Sequence, residues 1–291
     1  MLFEKVDMTK LSMLEYLPVF HTMRARDIWN PGYGIHREEI LDWDKRAIVS
    51  DERCQKCDVF SENLIYCFYG RPAFQWEEPN NNLNPYPVFF VFDGKAIHNP
   101  NMIFPFDTGA YNIGLYGKAY SSSEVKNYQL ADERIGHQKD EIPLIISLLW
   151  GSNMNYSNAT STFDSKTLIN AHPEFSLFDR EYVEFVLNGK NSSGLYCAAD
   201  SRAMTIEFIY RDILHLQALK EVIVPDSISD EDRNCLFKAL GSSIMIHQLP
   251  YDYRAVSGLN SFFSQFFEYV RANYIVKERK KDYDLYRCSN T

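Results

Sequence analysis

Short apolar runs separated by polar stretches mark the predicted strands of this chain. Four such runs lie at residues 64–69, 88–92, 206–209 and 221–225. The run at 88–92 is apolar throughout, which predicts a central strand that is covered on both faces. We also expect a strand at 243–248 and a first strand that is entered from Leu11 to Phe20 and ends near His21.

Helical patterns are expected between and after these strands. One helix is predicted around Glu141 to Gly151, before a polar connection at 152–165. A second helix begins after the capping residue Ser229 and ends at Gly241, and a Phe-rich amphipathic helix covers 259–276. Strands and helices do not alternate strictly, so the pattern predicts an α+β fold rather than a doubly wound sheet.

The composition is that of a folded protein with a large core. The chain has 291 residues, of which 45% are hydrophobic and 15% aromatic, more than a disordered chain carries. We expect a single domain over residues 1–291, with an insertion at about 111–195. The formal net charge of -9 argues against broad coating of nucleic acid, which needs many Lys and Arg side chains.

The sequence predicts a cytoplasmic protein without a membrane partner. The charged N-terminus lacks the apolar segment of a signal peptide, and no apolar window approaches the length of a membrane helix. Cys54 and Cys57 have the spacing of metal ligands, but the second pair that a zinc site requires is missing. We therefore expect no metal.

Three predicted strands carry a polar residue that an apolar core does not favour: His21, Arg71 and Glu207. A buried carboxylate or guanidinium needs a partner, which makes such residues functional candidates. A histidine, a guanidinium and a carboxylate together suit a ligand with riboses and phosphates, such as NAD. The alternatives are a structural role for His21 and an internal salt bridge from Arg71 to Glu62 or Glu207.

At these residues the chain resembles the ADP-ribosyltransferase superfamily, and most closely the toxin family that ADP-ribosylates thymidine in DNA. The resemblance lies in three short stretches: the His21-Thr22 pair, the aromatic segment at 66–72, and the strand at 206–209 that precedes a further strand. It implies a split mixed β-sheet core with helical insertions and NAD as the substrate.

The resemblance also implies roles for individual residues. Glu207 holds a ribose hydroxyl and stabilises the positive charge that develops when the nicotinamide–ribose bond breaks. The full set comprises two catalytic residues, Glu207 and Arg71, and four that bind NAD: His21, Thr22, Tyr69 and Gly70.

The predicted function is NAD-dependent ADP-ribosyl transfer to a macromolecular acceptor. By family analogy the setting is a toxin or an anti-phage defence effector, with a possible antitoxin or regulator. The acceptor stays open between a protein, a nucleic acid and water. Two alternatives are an NAD glycohydrolase on the same fold and a non-catalytic module that senses nucleotides.

Overall fold

A computed structural model describes the chain at residues 1–24, 29–30, 33–35, 47–50, 59–72, 87–112, 125–132, 139–161, 163–188, 204–241, 244–251 and 258–276. Within them the fold is α+β, as predicted, with a mixed central sheet and helices packed against it. No helix in these ranges is long and apolar enough to cross a membrane.

The described strands form two sheets. They are β1 (Val19–Arg24), β2 (Trp29–Asn30), β3 (Tyr33–Ile35), β4 (Ala47–Ser50), β5 (Leu64–Tyr69), β6 (Pro87–Phe92), β7 (Met102–Phe104), β8 (Ala131–Asp132), β9 (Glu207–Arg211), β10 (Ile213–His215), β11 (Leu219–Pro225) and β12 (Met245–Leu249). The larger sheet has the order β12-β11-β6-β1-β5-β9-β7-β8, and the smaller one the order β10-β4-β3-β2. Among the described strands, β11 and β12 alone pair in parallel, and the other neighbouring pairs are antiparallel.

Three of the described α-helices lie where the sequence predicted them, around residues 142–150, 230–240 and 258–270. The described α-helices are α1 (Thr108–Asn112), α2 (Ile142–Trp150), α3 (Asn153–Ser157), α4 (Ser165–Ala171), α5 (Leu177–Asn188), α6 (Asp230–Leu240) and α7 (Gly258–Val270). The Ser229 hydroxyl accepts from the Asp232 amide and caps α6, as predicted. A π-helical turn, Arg271–Ile275, continues directly from α7.

Three expectations about element positions were wrong. The first strand begins at Val19 and runs to Arg24, so His21 lies inside it rather than at its end. Glu207 is the first residue of its strand, without the preceding strand residue that its pattern suggested. The connection at 152–165 is not only polar loop, because it contains α3.

The larger of two hydrophobic clusters among the described residues joins the larger sheet to the helices. The Phe89 and Phe266 rings stack with centroids 3.8 Å apart, and Phe20 meets Phe266 edge to face, so α7 covers the sheet at β6 and β1. Buried aromatic residues from the predicted insertion, including Trp150 and Tyr182, belong to the same core. The described part of that region therefore packs with the sheet that carries the candidate site.

Candidate functional site

The three strands that carry the predicted site residues are neighbours in the larger sheet. The order β1-β5-β9 brings together segments near residues 21, 71 and 207, which are far apart in sequence. Tyr66 to Phe68 pair with Ile209 to Glu207, and Phe68 also pairs with Phe20. Long-range pairing thus assembles the three polar segments in one region of the fold.

The paired stretch between β1 and β5 is shorter than those that β1 forms with β6 and β5 forms with β9. It contains two residue pairs, whereas β1 pairs with β6 over six and β5 pairs with β9 over five. His21 follows the last of these two pairs, and its Nδ1 lies 2.9 Å from the Tyr66 carbonyl oxygen. A side-chain bond therefore takes the place of strand pairing where β1 and β5 diverge.

His21 is a neutral base in this structure. Its side chain is 2% exposed, and burial lowers its pKa from 6.5 to about 4. Since a carbonyl oxygen only accepts hydrogen bonds, Nδ1 must carry the proton and donate it to Tyr66. The ring is thereby held in one tautomer.

Glu207 lies at the start of β9, where it is 1% exposed. Its Oε2 accepts from the Thr108 hydroxyl at 2.8 Å and from the Thr108 amide at 3.1 Å. Asp107, the residue before α1, accepts from the Ala110 amide at 3.0 Å and so fixes the turn that presents Thr108. The two Thr108 donors stabilise the negative charge of a carboxylate that is withdrawn from water.

The register places His21 and Glu207 on opposite faces of the sheet. Glu207 shares a face with its partner Phe68, and Phe68 shares that face with Phe20. Side chains alternate along a strand, so His21 points to the other side, which it shares with Phe90. The two adjacent strands therefore do not present both residues to one surface of the sheet.

Arg71 follows the end of β5 and is 9% exposed. Its guanidinium carbon lies 6.0 Å from the centre of the Tyr156 ring, and burial lowers its pKa. Among the described residues Nη1 has no hydrogen-bond partner and the guanidinium has no carboxylate within ion-pair distance. The salt bridge to Glu62 that was considered above is absent, since Glu62 pairs with Arg211 at 2.6 Å.

The Tyr156 hydroxyl joins the ends of β5 and β9. It donates to the Tyr69 carbonyl at 2.7 Å and accepts from the Ile206 amide at 2.9 Å. The direct bond from the Tyr69 amide to the Ile206 carbonyl lies beside it. The Tyr156 hydroxyl therefore adds one bridge beyond the last backbone hydrogen bond between these two segments. It fixes the chain at Tyr69 and Ile206, next to Arg71 and Glu207.

Tyr69 and Gly70, which were predicted to bind NAD, are packed against other residues of the chain in this structure. The Tyr69 ring is fully buried, stacks on Phe208 at 5.3 Å, and accepts from the Leu17 amide through its hydroxyl. Gly70 has φ of 67°, and a Cβ there would lie 2.4 Å from a Leu17 methyl carbon. Because glycine has no side chain, the Leu17 and Tyr156 side chains pack closely against the backbone of Gly70.

Thr22 lies next to His21 on the opposite side of β1 from it. Its hydroxyl donates to the Val88 carbonyl across the strand pair at 3.2 Å. Thr22 is half-buried, and its register partner is Phe89 on β6 rather than a residue of β5. Among the described contacts, the Thr22 hydroxyl therefore bonds to β6 and not to β5.

Thr108 and Tyr156 belong to this region, although neither was among the predicted site residues. The local signal next to Thr108 is Asp107, a residue typical of side-chain-bonded turns, which accepts from the Ala110 amide. Tyr156 lies in a stretch rich in Asn, Ser and Thr, with no periodicity to show which way its ring points. Both act through contacts that span at least 50 residues of chain.

The described ranges contain no group of three His, Cys, Asp or Glu side chains that could hold a metal ion. Cys54 and Cys57 lie outside those ranges. Cys67 lies next to the site, and burial together with the charge of Glu207 raises its thiol pKa. A thiol with a raised pKa is a poor nucleophile, so Cys67 is a core residue.

Comparison with protein-family models, with curated proteins and with solved structures gives no significant match.

Proposed function

We propose that the chain binds NAD and cleaves its nicotinamide–ribose bond, transferring ADP-ribose to an acceptor. The adjacency of β1, β5 and β9 carries this proposal, because it sets side by side the three segments that contain His21, Arg71 and Glu207. These are the segments on which the resemblance to ADP-ribosyltransferases rests. The divergence of β1 from β5 also fits the split sheet that the resemblance implies.

The proposed chemistry requires one carboxylate and one acceptor. The bond between nicotinamide N1 and ribose C1′ breaks, and its electron pair leaves with the nicotinamide. Positive charge develops on the ribose, where the Glu207 carboxylate stabilises it. An acceptor oxygen or nitrogen then bonds to C1′ and releases a proton, for which Glu207 is the base. In this scheme His21 binds the ribose or nicotinamide portion, and Arg71 binds a phosphate or the acceptor.

NAD binding requires rearrangement around both Glu207 and His21, which are 1% and 2% exposed and lie on opposite faces of the sheet. Glu207 is bonded to Thr108 and His21 to the Tyr66 carbonyl. The same observation favours a second candidate function, nucleotide binding without cleavage, in which Glu207 only stabilises the fold. Hydrolysis of NAD differs from transfer in one respect, that water takes the place of the acceptor.

Purified protein comprising residues 1–291, incubated with NAD labelled in its adenylate phosphate, tests the proposal. Release of free nicotinamide above the rate in buffer is the expected result. Label that migrates with protein or nucleic acid indicates transfer, and label that migrates as free ADP-ribose indicates hydrolysis. Binding of ADP-ribose without nicotinamide release would support the nucleotide-binding function, and absence of both would contradict the two candidates.

Expression in a bacterial host tests the proposed toxin setting separately. Active protein is expected to slow growth, and Glu207→Gln is expected to relieve the defect at equal protein abundance. Equal growth inhibition by both proteins would contradict a role for NAD cleavage in toxicity.

A further inference from the structure

A pocket of about 160 Å³ lies between the end of β5, the end of α3 and the last turn of α7. Its polar lining consists of Arg71, Ser157, Asn158, Glu268 and Arg271. The pocket has room for several water molecules, and therefore for a small anion. Among the described residues, it brings Arg71 to an opening that a ligand can enter while Glu207 is covered.

Arg71 gives this pocket an unsatisfied cation. The guanidinium stays protonated at neutral pH, even though burial lowers its pKa. Its Nη1 is buried and has no hydrogen-bond partner among the described residues. The charge of Arg71 therefore has no counter-ion among the described residues, and an anion bound in the pocket would supply one.

Arg271 supplies a second guanidinium from the opposite wall. Its Nη2 lies 3.1 Å from Glu268 Oε2, one helical turn earlier, and both side chains are partly exposed. An exposed ion pair of this kind is weak, so it is easily exchanged for another acceptor. Two guanidinium groups against one carboxylate give the pocket a net positive charge.

The wall that carries Arg271 is anchored to the sheet. Glu221 on β11 is buried, and it accepts from the Tyr269 hydroxyl at 2.8 Å and from the Tyr274 hydroxyl. His247 Nε2 lies 2.8 Å from the same carboxylate. These contacts hold the chain on both sides of Arg271, which begins the π-helical turn.

The π-helical turn explains how both tyrosines reach one carboxylate. Residues five apart in an α-helix point about 140° away from each other. In the wider turn the Val276 amide bonds to the Arg271 carbonyl, five residues back, and Tyr269 and Tyr274 converge on Glu221. Single π-turns within helices are often found at functional sites, which fits the position of this one beside the pocket.

We propose that this pocket binds a phosphate group of the ligand through Arg71 and Arg271. Guanidinium groups match the oxygens of a phosphate with paired hydrogen bonds, and the phosphate replaces Glu268 as the partner of Arg271. Assignment of the phosphate to NAD rests on the proposed function, but the phosphate site itself does not. An acceptor that carries a phosphate could supply the same group.

Titration calorimetry of residues 1–291 with inorganic pyrophosphate, at constant ionic strength, tests the site. Arg271→Gln is expected to weaken binding roughly tenfold or more, because one charge-assisted contact is lost. Glu268→Gln is expected to tighten binding, because it removes the competing carboxylate. These two variants change partly exposed side chains, so they avoid the risk that replacement of buried Arg71 prevents folding.

Arg233→Gln is a matched control. Arg233 pairs with Asp230 three residues earlier on α6, and its side chain is 40% exposed, close to the 46% of Arg271. The control is expected to bind pyrophosphate as the wild type does. Equal affinities of Arg271→Gln and wild type, or no binding by the wild type, would overturn the phosphate site.

The source of the phosphate follows from a second titration with ADP-ribose. A matching loss of ADP-ribose affinity in Arg271→Gln assigns the phosphate to NAD. Unchanged ADP-ribose affinity together with weaker pyrophosphate binding assigns the site to a phosphate of the acceptor. Pyrophosphate binding that depends on Arg271, without any cleavage of NAD, would leave the site standing and contradict only the proposed reaction.

Discussion

Removal of the Tyr156 hydroxyl should loosen the junction of β5 and β9 without creating a cavity. Tyr156→Phe keeps the ring, which meets Trp150 edge to face at 5.0 Å, and deletes only the oxygen. The Ile206 amide then loses its partner at 2.9 Å. The Tyr69 carbonyl loses one of two donors, since it still accepts from the Arg71 amide.

The expected cost follows from these two losses. A buried amide left without a partner costs about 1–3 kcal/mol, and loss of one of two bonds at a carbonyl costs about 1 kcal/mol. Tyr156→Phe should therefore lower the free energy of unfolding by about 2–4 kcal/mol. Urea denaturation followed by tryptophan fluorescence measures this change.

Tyr16→Phe is the control for the loss of a phenol oxygen. The Tyr16 hydroxyl donates to Asp140 at 2.9 Å on the surface, so its removal should change the free energy of unfolding by less than about 1 kcal/mol. Equal destabilisation by the two substitutions would refute the view that the Tyr156 hydroxyl holds the strand ends together.

Three further predictions concern single contacts. Gly70→Ala should destabilise by about 2–4 kcal/mol, from positive φ and the clash with Leu17, and a change below about 0.5 kcal/mol in urea denaturation would contradict this. Thr108→Val should destabilise by about 1–3 kcal/mol because Glu207 loses a donor, whereas Thr167→Val, at the exposed Asp164, should cost less than half of that in the same assay. His21 is held neutral with a pKa of about 4 against 6.5 unfolded, so its contribution to stability is complete above pH 6.5 and falls by about 3 kcal/mol towards pH 4. His21→Asn retains an N–H donor near the Nδ1 position and should remove the part of the pH dependence of stability that His21 contributes. An unchanged dependence of the free energy of unfolding on pH would count against a neutral buried His21.

The strand β6 and the helix α6 could be predicted from the sequence because their signals are local. The apolar run that forms β6 predicted a buried strand, and all six of its residues are buried. Ser229 and Gly241 marked the two ends of α6, since a hydroxyl cap and a glycine after the last turn act on adjacent backbone groups.

The face of the sheet on which each site residue lies could not be predicted from the sequence in the same way. A shift of one residue in register moves a side chain to the other side of a sheet, and the apolar pattern near His21 and Glu207 does not fix that register. Pairing of Phe20 with Phe68, and of Phe68 with Glu207, decides it. Both pairings join segments far apart in the chain.

The change from α7 to a π-helical turn at Arg271 also depends on distant residues. The sequence predicted one continuous amphipathic helix to residue 276, and its extent agrees with α7 followed by the turn. The wider turn brings Tyr269 and Tyr274 to Glu221, nearly 50 residues or more away. A local pattern contains no information about that carboxylate.

The most direct test of the central claim is the rate of nicotinamide release from NAD by Glu207→Gln relative to wild type. Asp179→Asn is the matched control, because Asp179 is a buried carboxylate, 2% exposed, that accepts from the Phe3 and Ser176 amides in another part of the fold. Our account predicts release by the wild type and by the folded fraction of Asp179→Asn, and at least a hundredfold slower release by folded Glu207→Gln, about the contribution of one electrostatic stabiliser or general base. Equal rates for Glu207→Gln and wild type would contradict catalysis by this carboxylate.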